Sequence, residues 1–104
     1  MRGWRLLPPR DDEFYSLFNE MSETLVEASG KLVELFNTGL QERNEIEVRI
    51  ATCATICTRI GESIEDMLKV AQQPPFDRAE ISLFSDQCQR VMKYINHSAN
   101  RYMI

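Results

Sequence analysis

No run of apolar residues in this chain approaches the ~18–20 needed to cross a bilayer, so an integral membrane segment is not expected. Residues 1–10 do not read as a signal peptide either. Arg2, Arg5 and Arg10 flank an apolar cluster of only Trp4, Leu6 and Leu7. Together these point to a cytoplasmic protein. As an N-terminal arm, the ten residues make a poor amphipathic helix because Pro8 and Pro9 interrupt it. Packing against the chain or a partner suits the arm better than a membrane surface.

An excess of positive charge is also lacking. The formal net charge of -4 argues against nucleic acid, whose binding needs a basic stripe to displace counterions. Three cysteines do not make a secreted disulfide framework, and reduced thiols are expected. There is no glycine-rich phosphate loop and no nucleophile elbow, and His97 is the single histidine. A non-enzymatic protein without a cofactor follows.

What the chain does have is a period. Phe14, Phe18, Met21, Leu25, Ala28, Leu32 and Leu35 are spaced by alternating steps of four and three. Ile46, Ile50, Cys53, Cys57, Ile60, Ile64, Met67 and Ala71 repeat the pattern, and so do Ile81, Phe84, Cys88, Val91, Ile95, Ser98 and Tyr102. Such spacing belongs to long helices packed along a seam, whereas strands need a period of two, which is absent. The fold class is all-α. The expected helices span about 12–38, 42–72 and 78–103, in a bundle over 11–104 that follows the arm at 1–10.

Capping chemistry marks the boundaries. Pro8-Pro9 and then Asp11-Asp12 offer a stop followed by an N-cap. Asn37-Thr38-Gly39 ends the first helix, with Gly39 expected in a left-handed conformation. Pro74 and Pro75 end the second. Asp77 caps the third, Glu80 completes a capping-box-like pair, and Phe76 is placed to staple onto Ile81. Short connections make neighbours antiparallel, giving an up-down-up three-helix bundle.

Two further expectations concern surfaces. Residues 11–36 hold seven acids against Lys31, while residues 78–104 hold Arg78, Arg90, Lys93 and Arg101 against Glu80 and Asp86, so the two segments should lie close and compensate. Beside its seam the second helix shows Ala54, Gly61 and Leu68 on one flank and Ile56, Ser63 and Val70 on the other. That face is wider than a single stripe and suggests a second packing surface, most simply another copy of the chain.

RLLPPRDDEFYSLF and ETLVEASGKLVELF resemble the opening helix of PhoU-like proteins, in the branch encoded beside Pit-type phosphate transporters. PPFDRAEI, with Pro75, Phe76, Asp77, Arg78 and Glu80, resembles the corner that opens that branch's third helix. The resemblance covers residues 5–104. It implies a fold of two three-helix repeats, of which one is matched here, and a regulatory role in phosphate uptake. It also implies metal binding through acid-x-x-x-acid pairs, but those positions fall at Ala54 and Thr58 and at Gln89 and Lys93. None is a carboxylate and Lys93 would repel a cation, so the metal role does not carry over.

The expectation is therefore a homodimer that restores six helices and acts by contact with a phosphate transporter or another protein, through Ala54, Thr58, Gly61 and Leu68 or through the arm. A generic coiled-coil adaptor fits the heptads equally. A zinc-type module is a further alternative. Cys53 and Cys57 share a helix face, and about an antiparallel corner Cys57 lies level with Lys93 and Cys53 with His97. Against it, the seam already accounts for both cysteines as core thiols, and His97 suits a surface position. Glu13, Glu20, Glu27 and Glu34 recur every seven residues and read as a solvated face turned toward the basic third helix.

Overall fold

Three stripes of one period fold into three helices. The computed structural model describes residues 11–71 and 77–103, with α1 at Asp11–Phe36, α2 at Leu40–Val70 and α3 at Arg78–Met103. No strand occurs among the described residues, and no helix of theirs is long and apolar enough to cross a membrane. The arm with Trp4, Leu6 and Leu7 lies outside the described residues, as do the Pro8-Pro9 stop, the Pro74-Pro75 corner and the Phe76 staple.

The turn from α1 to α2 differs from expectation. Gly39 is not left-handed: at φ -68° and ψ 163° it is the extended N-cap of α2, and its carbonyl accepts from Glu42 N at 3.2 Å. The last carbonyls of α1 are met by side chains. Asn37 Nδ2 donates to Val33 O at 2.9 Å and Thr38 Oγ1 donates to Glu34 O at 2.5 Å. These two polar residues do the work assigned to glycine, so α1 ends at Phe36 and α2 begins at Leu40.

At the start of α3 the capping is half as expected. Asp77 Oδ1 accepts from Ala79 N at 2.8 Å, a genuine N-cap bond. Glu80 makes no reciprocal bond among the described residues. Arg78 has a role the sequence did not disclose. Its guanidinium donates to the carbonyls of Leu68 and Ala71, satisfying the exposed C-terminal end of α2. One residue pair thus finishes one helix and starts the next.

The core follows the heptads on α1 and most of α2. Phe14, Met21, Ala28 and Leu35 are fully buried, as are Ile50, Cys53 and Ile64, with Ile46, Cys57 and Ile60 nearly so. On α3 the register is corrected. Ile81, Ser85, Met92 and Ala99 are buried, while Phe84, Val91, Ser98 and Tyr102 are exposed. The seam lies one position further along than the most apolar choice. α3 must touch two neighbours, so its centre goes to residues small or flexible enough to fit between them, and its aromatic flank turns to α1.

Named contacts fix the arrangement. Phe18 meets Phe84 edge-on with ring centroids 5.3 Å apart, and Phe36 meets Tyr102 in the same way at 4.8 Å. Arg49 reaches Glu27, and Ser82 Oγ donates to Glu65 at 2.9 Å. Arg43 closes the far end, donating to Thr38 O at 2.9 Å and Tyr102 Oη at 3.1 Å while stacking over the Tyr102 ring. The molecule measures 50 × 30 × 17 Å, an elongated bundle in which each helix touches the other two.

Candidate functional site

α2 and α3 approach each other closely at one point because Gly61 has no side chain. A Cβ there would overlap the carboxamide of Gln89, which crosses from α3 onto the α2 backbone. Gln89 Nε2 donates to Ser85 Oγ at 3.2 Å, and Ser85 is fully buried. Beyond this contact the helices diverge around a half-open cavity of about 460 Å³. From α2 come Ala54, Cys57 and Thr58; from α3 come Asp86, Gln89, Arg90, Lys93 and Asn96.

The four positions singled out in the sequence, Ala54, Thr58, Gln89 and Lys93, are therefore brought to one place. Their chemistry is not that of a cation site. Arg90 and Lys93 contribute two positive charges against one from Asp86, and none of the three is engaged in an ion pair among the described residues. Asn96 Oδ1 is buried without a hydrogen-bond partner. Burial pushes the Cys57 thiol up to about 11, so it adds no charge to the cavity at neutral pH.

The zinc-type trio is not assembled. Cys53 and Cys57 are buried in the core, His97 is exposed, and among the described residues no three of His, Cys, Asp or Glu are grouped as a metal would need. Burial raises the thiols of Cys53 and Cys88 as well, which keeps them protonated.

The wide face of α2 also has an explanation inside the chain. Gly61 and Leu68 are buried, Ala54 is half-buried and Thr58 is exposed, because α2 packs on α1 along one flank and on α3 along the other. Uncovered apolar surface remains on all three helices, on α2 at Leu40, Val48 and Val70. On α1, Val26, Val33 and Phe36 continue outward from the flank that meets α3, and on α3, Leu83, Phe84, Val91 and Tyr94 are exposed. Phe18, Ile81, Leu83 and Phe84 line a predominantly apolar groove of about 600 Å³ at the start of α3.

The charged faces are also placed differently from expectation. Among the described residues no ion pair joins α1 to α3. Glu27 turns to Arg49 of α2, whose guanidinium holds its carboxyl below the usual range, and Glu34 pairs with Lys31 on its own helix. Glu20 and Glu23 on α1 and Arg90 and Arg101 on α3 are left exposed without ion pairs among the described residues.

No protein-family model matches the chain, and no curated protein and no solved structure matches it either.

Proposed function

We propose that the chain is a non-enzymatic accessory or regulatory protein that works by protein–protein contact. On this reading it is an antiparallel up-down-up repeat of the PhoU-like type, paired with a second copy. The observation that carries the reading is the apolar face along α1 and α3, where Val26, Val33, Phe84, Val91 and Tyr94 are each about half exposed or more. Charge supports it too. Exposed Glu20 and Glu23 of one copy complement exposed Arg101 of another, which an isologous contact satisfies twice.

The link to phosphate transport is carried by the resemblance over residues 5–104. A phosphate-uptake assay in cells lacking the chain separates a transport regulator from a generic adaptor. Self-association is tested by sedimentation over a concentration series. The expected species has about twice the mass of the 12.1 kDa chain. A Val91→Glu, Tyr94→Glu double variant should sediment as a folded monomer. A wild-type chain that stays monomeric throughout the series contradicts the pairing.

A further inference from the structure

The α2–α3 cavity combines groups that no role above uses. Arg90 and Lys93 line it without ion pairs among the described residues, and Thr58 adds a hydroxyl. The same wall carries acceptors: the Asp86 carboxylate and the buried, unpartnered Asn96 Oδ1. A buried acceptor without a donor costs stability, and a bound group that donates to it removes that cost. Two cations beside such acceptors suit an anion that still carries a proton.

We propose that this cavity binds a protonated oxyanion of the phosphate class, as the free ion or as a small monoester. Arg90 and Lys93 meet its charge through charge-assisted hydrogen bonds. Its hydroxyl donates to Asn96 Oδ1. The volume of about 460 Å³ is within the range of small-molecule sites and leaves room for the organic part of a monoester. Sulfate has the same shape and size but carries no proton at neutral pH, so it would leave Asn96 Oδ1 unpaired and set a bare anion against Asp86. A site built around such a hydrogen bond rejects the analogue that lacks it. The cavity lies on the opposite flank of α3 from Phe84 and Tyr102, which meet α1.

The test is calorimetric titration of the full chain with inorganic phosphate, glycerol phosphate and sulfate. Phosphate should bind at least about tenfold more tightly than sulfate, the factor expected for one lost hydrogen bond to a buried acceptor. Lys93→Gln should weaken phosphate binding about tenfold, the loss of one charge-assisted bond. Asn96→Ala should bring phosphate and sulfate to similar affinity. Lys93 is exposed, so its variant should keep the wild-type helical circular dichroism. Tighter binding of phosphate assigns the free ion, tighter binding of glycerol phosphate assigns a monoester, and either sustains the proposal. Absence of phosphate binding up to concentrations on the order of 10 mM, equal binding of sulfate by the wild type, or an unchanged Lys93→Gln affinity overturns it.

Discussion

Cys57 sits where the core and the α2–α3 cavity meet, and its environment makes a measurable claim. Burial raises its thiol from a usual value of 9.0 to about 11, with the neighbouring Cys88 and Cys53 adding to the shift. A group whose folded value lies above its unfolded one stabilises the fold at any pH below the unfolded value. That contribution is lost as pH rises through the folded value. Urea unfolding of the wild type should therefore weaken between pH 9 and pH 11, and a Cys57→Ala variant should show a shallower decline across that window. Identical slopes would mean that the thiol is not buried as described. The burial of Cys53 and Cys57 was legible in the sequence, because both fall on the heptad. The role of Gly61 was not, since the side chain that needs its missing Cβ, Gln89, is 28 positions away and no local pattern couples the two. Gly39 misled for a related reason: glycine after a helix suggests a left-handed cap, but Asn37 and Thr38 had already satisfied the carbonyls.

Among the elements, α3 carries the sharpest lesson. Reading the most apolar residue at each turn selects Phe84 and Val91 for the core, whereas packing selects Ser85 and Met92. Amphipathic pattern gives the existence of a helix and the approximate direction of its face. It does not say where that face is centred when two neighbours share it. The small flank of α2 at Gly61 admits Ser85 and Gln89, and Phe18 of α1 draws Phe84 outward into an edge-on pair. The two registers differ in a simple measurement. Met92→Ala should cost about 2–5 kcal/mol in urea unfolding, as fully buried large-to-small changes do. Phe84→Ala should cost less, about 1 kcal/mol, because the ring is half exposed and contributes mainly its aromatic pairing. The reverse order would restore the sequence register. Boundaries were read to within about two residues because capping residues punctuate both turns. The function of Arg78 as the closing group of α2 required three dimensions.

For the molecule as a whole, the sequence correctly indicated three long helices and an excess of apolar surface. Gly61 and Leu68 of α2 are spent on its neighbours, Val48 and Val70 stay exposed, and further uncovered surface falls on α1 and α3. The charge asymmetry between the first and third segments was equally visible. Among the described residues no ion pair joins those two segments: Glu27 pairs with Arg49, and Glu20, Glu23 and Arg101 are left exposed. Both leftovers, apolar and charged, point to contact with another protein surface, and the central claim is that a second copy covers it. The most direct measurement places a photo-reactive benzophenone side chain at Tyr94, on the exposed apolar stripe, or at Thr55, an exposed position on α2 away from it. Irradiation of the purified chain should yield a covalent dimer from position 94 and none from position 55. A dimer from position 55 alone, or from neither, would contradict the account.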